Sequence, residues 1–498
     1  MVDAKWHGYL DNQINTRPDA PAVSDPTGTN WTWGALGKAV EDASQTLRDA
    51  GVMPGDRVMI LSENSTATVA FLFGCSRLGA IAIPFNARQT EAELARVVEH
   101  ATPAAIVLTT AVSRDAQAHA DRLGSQPVTG KFGTVHLVAR SSDPDPDRDV
   151  AVLLYTTGTT GTPKGVMLTH DNLRFGGMTS SNLREMTTND VIYGVLPVTH
   201  VFGLASVVTA ATYAGAQIRF EPRFSAAALY EALTSGVTLL SAVPQMHALL
   251  MQYTKEKGYD RLPSDTLRYV SSGAAPLDPT WKRKAEAFYG VAVQNGYGMT
   301  ETTAGVSATR NEIGDPDISV GPPLPQVEVR IDETVPGGGD GEGEVLTRGP
   351  HIMKGYFRNP EETARALDSQ GWMRTGDLGC IDDRGHVHIL GRSKELIIHG
   401  GFNVYPPEVE AALNDHPQVI QSAVIGRVAA GDEQVLAFCQ VPDGCTLSPD
   451  DLRAFVAERL AGYKRPRQII LASSLPAAPT GKILKHRLLD TFAEQLDP

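Results

Sequence analysis

Short apolar runs alternate with helix-like segments in the first third of the chain. The runs VMIL, AIAIP and AAIVLT fall between Arg57 and Thr110, and the segments TATVAFLFGCSRLG and EAELARVVEHA separate them. This alternation is typical of β-α-β units on a largely parallel sheet. A polar loop from Ser141 to Asp149 leads into another apolar strand, Ala151 to Tyr155, and the alternation continues to about Gly321. The pattern therefore predicts an α/β architecture.

The pattern changes after Gly321, where EVRIDETVPGGGDGEGEVLTRG predicts a strand, a Gly-rich turn and a second strand of a β subdomain. Further on, the strand patterns QSAVIGRV and EQVLAFCQV accompany the helix patterns DLRAFVAERLAG and KHRLLDTFAEQL. A chain of 498 residues with 42% hydrophobic content is too long for one core. We expect a large N-terminal domain of mixed α/β sheets with a β subdomain (residues 1–393) and a small α+β C-terminal domain (residues 394–498).

The stretch from Val191 to Ile218 contains no Asp, Glu, Lys or Arg and is long enough to cross a bilayer. Pro197, His200 and Gly203 interrupt it, and such polar breaks are rare in spanning helices. A buried strand, turn and helix is therefore the preferred interpretation.

The net charge of the chain disfavours polyanionic partners. The 44 basic and 57 acidic residues give a formal charge of -13, which repels nucleic acid and anionic lipid. An anionic ligand must then be held by local chemistry. The N-terminus lacks the apolar core of a signal peptide, and the C-terminal LDP is no peroxisomal address. We expect a cytoplasmic protein without a zinc knuckle or a disulfide framework, because four cysteines are too few and too unsuitably spaced for either: Cys75, Cys380, Cys439 and Cys445.

The strongest chemical signal is the segment YTTGTTGTPKG, from Tyr155 to Gly165, at the end of a predicted strand. Its glycines let backbone amides turn toward a phosphate, its threonine hydroxyls add donors, and Lys164 adds positive charge. It differs from the G-x-x-x-x-G-K-[ST] loop because Pro163 precedes the lysine and no Ser or Thr follows it. The alternative is a flexible Thr/Gly surface loop.

This loop resembles the signature of the adenylate-forming enzymes, which include acyl-CoA synthetases, firefly luciferase and nonribosomal peptide adenylation domains. Further motifs of that superfamily follow in the right order, closely from Tyr155 to Lys482 and loosely in the N-terminal third. The acyl-CoA synthetase branch is the nearest match. The resemblance implies that ATP, with Mg²⁺, activates a carboxylic acid as acyl-AMP with release of pyrophosphate. The acyl group then passes to coenzyme A with release of AMP.

The segment NGYGMTE, Asn295 to Glu301, resembles the second core motif of the superfamily. The resemblance implies that Tyr297 packs on adenine, Thr300 binds the α-phosphate and Glu301 holds magnesium. A carboxylate is a suitable ligand for Mg²⁺ that bridges phosphates. Taken alone, the segment is also compatible with a loop turned by its glycines.

Three more segments complete the implied nucleotide site. SSGAAPL, Ser271 to Leu277, resembles a segment of the superfamily that lines the nucleotide and acyl sites. WMRTGDL supplies Asp377 for both ribose hydroxyls, and GRSK supplies Arg392 near the ribose or phosphate, although a charge pair on a hairpin is the alternative for Arg392. The implied ATP- and AMP-binding set is Thr156, Thr157, Gly158, Thr159, Thr160, Gly161, Lys164, Gly273, Ala274, Ala275, Asn295, Gly296, Tyr297, Gly298, Thr300, Asp377, Arg392 and Lys482.

The segment PTGKI resembles the C-terminal catalytic loop, in which Lys482 bridges the acid and the α-phosphate and offsets the charge of two meeting anions. Without the resemblance, Lys482 is an ordinary solvated charge. The resemblance also implies a mobile C-terminal domain that rotates about Lys394 between the two half-reactions. Rotation withdraws Lys482 and presents a coenzyme A tunnel at His399, Gly400 and Gly401, where His399 departs from the usual family pattern. The implied catalytic set is Lys482, Thr300, Glu301 and His200.

The segment LPVTHVFGL resembles the P-x-x-H-x-x-G stretch at the acyl pocket, where His200 gates or orients; a buried structural histidine is the alternative. The stretch has no Asp to pair an ammonium, so amino acids are disfavoured. The aligned pocket segments also show no obvious Arg or Lys for a second carboxylate. An apolar monocarboxylate, a medium or long fatty acid or an aromatic acid, is expected. The implied acyl pocket is His200, Phe202, Gly203, Val243, Ala274, Gly298 and Met299.

Other functions remain open at this point. The acceptor thiol could be a carrier-protein phosphopantetheine, and the chain could be a nucleotide-binding homologue without turnover. Oxidation of the luciferase type is a remote third. The sequence leaves open the chain length of the acid and a monomeric or homodimeric state.

Overall fold

The computed structural model describes most of the chain. The described ranges are 5–145, 147–157, 163–273, 277–336, 338–400, 402–429, 432–477 and 483–496. Several residues predicted to bind nucleotide, acyl group or thiol lie outside these ranges: Gly158, Thr159, Thr160, Gly161, Ala274, Ala275, Gly401 and Lys482.

The strands of the N-terminal part form two eight-stranded sheets, with one further strand, β18, joining from the next segment. Their bounds are β1 Pro21–Ser24, β2 Asn30–Thr32, β3 Arg57–Ser62, β4 Ile81–Asn86, β5 Ala105–Leu108, β6 Gln126–Gly130, β7 Gly133–Ala139, β8 Val150–Thr157, β9 Pro163–Thr169, β10 Val191–Gly194, β11 Gln217–Phe220, β12 Leu239–Ala242, β13 Tyr269–Ser272, β14 Val293–Tyr297 and β15 Ser307–Ala308.

The remaining strands belong to smaller sheets, apart from β18. Their bounds are β16 Glu328–Asp332, β17 Gly343–Arg348, β18 Gly355–Tyr356, β19 Met373–Ile381, β20 Val387–Arg392, β21 Ile397–His399, β22 Phe402–Val404, β23 Gln421–Ala429, β24 Asp432–Gln440 and β25 Gln468–Ala472.

The helices cover and connect these sheets. Their bounds are α1 Gly8–Thr16, α2 Trp33–Asp49, α3 Thr66–Leu78, α4 Glu91–Ala101, α5 Arg114–Arg122, α6 His170–Leu183, α7 Val201–Gly203, α8 Ala210–Ala214, α9 Ala226–Thr234, α10 Pro244–Glu256, α11 Pro279–Tyr289, α12 Pro360–Ala366, α13 Pro406–Asn414, α14 Pro449–Ala457 and α15 Leu488–Thr491.

One large sheet has the order β18-β9-β8-β4-β3-β5-β7-β6, and its centre is parallel. The other has the order β15-β14-β13-β12-β10-β11-β1-β2, with antiparallel strands at both edges. Strands β3 and β4 are buried along nearly all of their length, as expected for a sheet covered on both faces. The β-α-β alternation predicted between Arg57 and Thr110 is confirmed.

The charge-free stretch forms β10, a turn, α7, a π-helical segment over Leu204–Thr209, α8 and the start of β11. Most of its side chains are buried against the neighbouring core. In the part of the chain that the structure describes, no helix is long and apolar enough to cross a membrane. The predicted buried strand, turn and helix is correct.

A four-stranded antiparallel sheet, in the order β16-β17-β19-β20, forms the predicted β subdomain. The C-terminal segment contains the hairpin β21-β22, the sheet β23-β24-β25 and its own apolar core. The single helix predicted for KHRLLDTFAEQL is wrong, because this segment folds as α15 flanked by two short 3-10 turns. Leu488 and Phe492 still pack into the core, so the apolar spacing was informative although the helix is broken.

Candidate active site

The predicted phosphate loop connects β8 and β9, which pair as an antiparallel hairpin. Thr156 lies opposite Lys164, and Thr157 lies opposite Pro163. The glycine and threonine residues of the turn lie outside the described residues. Because β8 runs parallel to β4, the last residues of β8 and the first residues of β9 lie at the carboxyl edge of the sheet, where ligands of α/β sheets bind.

Lys164 is held by residues that the sequence analysis missed. Its ammonium forms an ion pair with Glu362 and lies 5.2 Å from the ring centre of Tyr356. The hydrogen bond from Lys164 lowers the pKa of the Glu362 carboxyl. Glu362 lies in the first turn of α12, which Asn359 caps. The signal was present as Asn-Pro-Glu-Glu, a typical helix start, but nothing in it indicated contact with Lys164.

The predicted magnesium ligand Glu301 is buried in a 3-10 turn, Thr300–Thr302, that follows β14. The hydroxyl of Tyr356 donates a hydrogen bond to Glu301 Oε1 at 2.9 Å. Burial, together with the charge of Glu301, raises the pKa of Tyr356, which keeps the phenol protonated as a donor. Tyr356 therefore contacts both Lys164 and Glu301 and joins the predicted phosphate and metal positions.

The turn after Glu301 has an unusual backbone. Thr303 and Ala304 both have positive φ, at 48° and 77°, which is costly for residues with a Cβ. This turn brings the Ala304 carbonyl so close to Gly298 that a Cβ there would lie 2.2 Å from the oxygen. Glycine at position 298 is thus required by packing.

The structure joins three residues of the predicted nucleotide site: Tyr297, predicted at the adenine, Asp377, predicted at the ribose, and Arg392, predicted near the ribose or phosphate. Tyr297 donates a hydrogen bond to Asp377 Oδ2, and Arg392 Nε lies 2.9 Å from Asp377 Oδ1. Burial and the adjacent Asp377 raise the pKa of Tyr297 well above its ordinary value. The pairing follows from the register of β19 and β20, in which Asp377 lies opposite Arg392. A carboxylate has about four acceptor positions, so both oxygens can still accept from ribose hydroxyls.

Asn295 and Gly296 occupy the carboxyl end of β14. The buried amide of Asn295 donates to the Ser319 carbonyl at 3.1 Å and accepts from the Gly296 backbone amide at 3.0 Å. Gly273 follows the last residue of β13, and a Cβ at Gly273 would lie 2.9 Å from the Phe202 ring. Phe202 therefore packs directly on the Gly273 backbone, which brings the predicted acyl and base segments together.

A cavity of about 100 Å³ lies between these segments. Seven predicted residues line it: His200, Phe202, Gly273, Asn295, Gly296, Tyr297 and Gly298. Three described residues of the predicted acyl pocket do not line it: Gly203, Val243 and Met299. Gly203 instead packs against the Pro197 carbonyl, and Val243 precedes helix α10.

His200 is exposed at this cavity and caps α7 by accepting from the Phe202 amide at 3.3 Å. The alternative of a buried structural histidine is therefore wrong. The preceding turn is fixed by Asn64, whose buried amide donates to the carbonyls of Gly194 and Leu196 and accepts from Val198. The π-helical segment after α7 is a feature often found at functional sites.

Arg184, which was not predicted from the sequence, follows the last residue of α6 and lines the same cavity. The expectation that the pocket segments around Phe202, Val243, Ala274 and Val306 show no obvious Arg or Lys does not extend to Arg184, because Arg184 lies outside those segments. Arg184 lies in the polar stretch LREMTTND, which is typical of a solvated surface. The fold buries it, and it is 6% exposed.

The loop containing Lys482 is closed at its base by a bridge between Ala477 and Ile483. Just beyond the loop, Lys485 forms ion pairs with Glu395 and Glu410 at 2.8 and 2.9 Å. These pairs raise the pKa of Lys485 although its burial opposes that shift. Glu395 is adjacent to Lys394, the predicted pivot. The ion pair between Lys485 and Glu395 therefore connects the segment after the Lys482 loop to the pivot.

The predicted pivot and thiol residues lie on successive turns. Lys394 is exposed in the turn Ser393–Glu395. His399 ends β21, and its Nδ1 donates to the Glu433 carbonyl at 2.5 Å. Gly400 has a φ of 59° and open space where a Cβ would be. This glycine suits the tight turn of the hairpin β21-β22.

The residues present fit a magnesium ion bound together with phosphates. Within the described ranges no cluster of three His, Cys, Asp or Glu side chains is suited to a metal. Mg²⁺ bound to nucleotide needs only one or two carboxylates, since phosphates and waters complete its shell. Glu301, buried and oriented by Tyr356, is such a carboxylate.

Comparison with known families covers most of the chain. A family model described as AMP-binding enzyme matches residues 10–357, and one described as AMP-binding enzyme C-terminal domain matches residues 408–482. A feruloyl-CoA synthase from an Amycolatopsis species is 34% identical over 490 residues, spanning 95% of this chain and 96% of that protein. A sulfoacetate–CoA ligase from Cupriavidus necator is 31% identical over 491 residues, spanning 95% of each.

Solved structures agree with the predicted fold class. ATP-bound MatB from Rhodopseudomonas palustris superimposes with a TM-score of 0.83 at 30% identity, covering 99% of this chain and 100% of that one. The O-succinylbenzoate coenzyme A synthetase MenE from Bacillus subtilis, in complex with ATP and magnesium, gives 0.81 at 27% identity, covering 96% and 98%. The fold class expected from the sequence is confirmed.

Proposed function

Since the chain belongs to the AMP-binding enzyme family and is an AMP-forming acid–CoA ligase that uses ATP, Mg²⁺ and coenzyme A, we propose that its acid is a monocarboxylate with an apolar body. The body is an aliphatic chain of medium or longer length or an aromatic ring. The relatives' names cover several kinds of acid, so the proposal rests on the cavity of this chain.

The observation that carries the proposal is the apolar wall beside His200. Leu183, Val201, Phe202 and Leu324 line the cavity, and the stretch from Val191 to Ile218 contributes no charged side chain. Each buried methylene contributes about 0.8 kcal/mol, whereas an unpaired buried ammonium costs several kcal/mol. An apolar body is therefore favoured over acetate and over an amino acid.

In the first half-reaction a carboxylate oxygen of the acid attacks the α-phosphorus of ATP, and the bond to pyrophosphate breaks. We assign Tyr297, Asp377 and Arg392 to the adenosine and Lys164 to the phosphates. Lys482 lies in the loop assigned to the meeting point of the two anions, where its positive charge offsets their repulsion. Magnesium, held by Glu301, neutralises phosphate charge when bound.

In the second half-reaction the coenzyme A sulfur attacks the acyl carbon, and AMP leaves with the electrons of the acyl–phosphate bond. We propose that the segment from residue 394 onward moves as a body about Lys394 between the two steps. This motion exchanges Lys482 for the hairpin β21-β22, with His399 and Gly400 beside the thiol. We assign the separation of acid from thiol to His200, because this histidine is exposed and lines the cavity.

A panel of acids scored by pyrophosphate release tests the proposal. Activity should rise from acetate to medium-chain and aryl monocarboxylates, with malonate and amino acids poor. Phe202→Ala should change this ranking more than it changes the KM for ATP, because Phe202 lines the cavity and packs on Gly273. A strong preference for acetate, malonate or an amino acid would contradict the proposed substrate class.

A further inference from the structure

A buried cation lies at the end of the cavity formed by α6. Arg184 donates through Nη1 to the Ser206 carbonyl, and its guanidinium carbon lies 5.6 Å from the ring centre of Tyr269. Its Nε has no hydrogen-bond partner among the described residues. Within those residues no carboxylate forms an ion pair with it. The hydrogen bond to Ser206 satisfies Nη1 of the guanidinium, whereas Nε remains without a hydrogen-bond partner among the described residues.

Two other polar atoms without partners line the same cavity. The hydroxyls of Ser272 and Ser307 are buried and have no hydrogen-bond partner in the described ranges. Leaving such a group unpaired costs about 1–3 kcal/mol. Three unsatisfied polar groups around one cavity, Arg184 included, indicate a site that a ligand completes.

Arg184 lies at the opposite end of β13 from the predicted nucleotide-binding residue Gly273. Its guanidinium carbon packs over the ring of Tyr269, the first residue of β13, whereas Gly273 follows the last residue of that strand. At the rise of a β-strand, these two positions are separated by about 13 Å. A group that contacts Arg184 is therefore on the part of the acid remote from the reacting carboxylate.

We propose that this end of the cavity binds a neutral oxygen on the body of the acid, a keto, hydroxyl or ether oxygen, through Arg184 Nε. This inference rests on the proposed function and specifies its substrate class further. A neutral acceptor fits because Leu183, Val201 and Leu324 share the cavity and would oppose burial of a second anion. The charge of the guanidinium already faces a carbonyl and an aromatic ring.

Matched acids test the proposal. One is a medium-chain keto acid, one is the isostere in which a methyl-bearing carbon replaces the carbonyl, and one is the dicarboxylate of equal length. An aryl pair with acetyl or isopropyl substituents extends the test. The wild-type enzyme should prefer the keto member of each pair by about tenfold in kcat/KM, the value of one hydrogen bond to a charged donor.

Arg184→Met should reduce this ratio to near one, because methionine fills the space without donating. Ser272→Ala, a smaller change, should reduce the ratio partly. Arg219→Met is the matched control: Arg219 also donates to a backbone carbonyl, that of Ser235, but does not line the cavity, so the ratio should persist.

Equal use of keto acid and isostere by the wild type, or a ratio that survives both Arg184→Met and Ser272→Ala, would overturn the inference. A dicarboxylate that exceeds the keto acid would overturn the choice of a neutral oxygen. If the isostere is activated well without any preference, only this inference fails. If none of the medium-chain or aryl acids exceeds acetate, the proposed function itself fails.

Discussion

Tyr297 donates a hydrogen bond to Asp377, a residue 80 positions later in the chain. The contact joins the end of β14 to β19 of the four-stranded sheet, and Arg392 completes it from β20. Two motifs that are separate in sequence thus form one polar cluster. The cluster fixes the orientation of the Asp377 carboxylate through contacts to both of its oxygens.

Replacing the Asp377 carboxylate should weaken nucleotide binding more than removing the Tyr297 hydroxyl. Asp377→Asn leaves Arg392 without its anionic partner and should raise the KM for ATP by about tenfold or more, whereas Tyr297→Phe should raise it about fivefold or less. Steady-state pyrophosphate release against ATP concentration measures both. Unchanged KM values in both variants would remove this cluster from the nucleotide site.

Lys482→Ala should lower acyl-AMP formation by about 100-fold or more, because the lysine offsets charge where two anions meet. Thioester formation from supplied acyl-AMP should persist near the wild-type rate. Pyrophosphate release and thioester formation are measured separately. An equal loss in both half-reactions would contradict the alternation of domains.

Glu301→Gln should raise the magnesium concentration needed for half-maximal activity by at least about tenfold, since even residues behind a metal ligand have effects of that size. Tyr356→Phe, which removes only the hydrogen bond to Glu301, should have a smaller effect. Titration of magnesium at saturating ATP measures both changes. If neither variant changes the magnesium concentration needed for half-maximal activity, the metal is held by other residues.

Lys394→Pro should slow thioester formation by about tenfold or more while sparing acyl-AMP formation, because proline fixes φ at the proposed pivot. Lys394→Ala keeps the backbone free and serves as the control for loss of the side chain. Single-turnover assays of each half-reaction separate the two effects. Full thioester activity in the proline variant would place the pivot at another residue.

Because His351 is buried, we expect the free energy of unfolding to decrease at acidic pH. This histidine is buried beside Thr347, and burial lowers its pKa to about 4 from an ordinary 6.5. Between pH 6.5 and pH 4 the His351 imidazole is therefore protonated in the unfolded chain but stays neutral in the folded protein. Stability is fully present above pH 6.5 and falls as the pH drops toward 4. At pH near 5 the loss should be about 2 kcal/mol.

Urea unfolding at neutral pH and near pH 5 measures this effect. His351→Gln should lose less stability between the two conditions than the wild type, because glutamine does not titrate. Buried His247, whose pKa is also lowered to about 4, contributes equally to both proteins and cancels in the comparison. Parallel losses in wild type and variant would contradict the assignment to His351.

The sequence predicted those parts of the site whose residues are contiguous. Asn295 to Glu301 form one motif, and one strand with its following turn positions them all. Glu362 and Arg184 were not predictable in this way, because each lies in a charged stretch that is typical of solvated helix ends. Only tertiary packing, of α12 near β9 and of α6 beside the cavity, brings them to the site.

The secondary structure also divides into features that the local sequence predicts and features that depend on tertiary contacts. Alternating strands and helices follow from local hydrophobic periodicity, whereas the break in the last predicted helix depends on tertiary contacts. Lys485, just before α15, is held by Glu395 and Glu410 from other elements, and those contacts are invisible in the local pattern. Local spacing reports which residues are buried more reliably than it reports the continuity of a helix.

Helix α6 contributes three side chains to the cavity that we propose for the acid. Gly176 in its middle lies so near Thr303 that a Cβ would meet the carbonyl at 2.9 Å, so the helix cannot slide relative to the turn that carries Glu301. Ser180, Leu183 and Arg184 lie on one face of its last turn and line the cavity. A change in the size of these three side chains would therefore alter the room in the cavity, whereas the distance from the helix to the turn that carries Glu301 would stay constant.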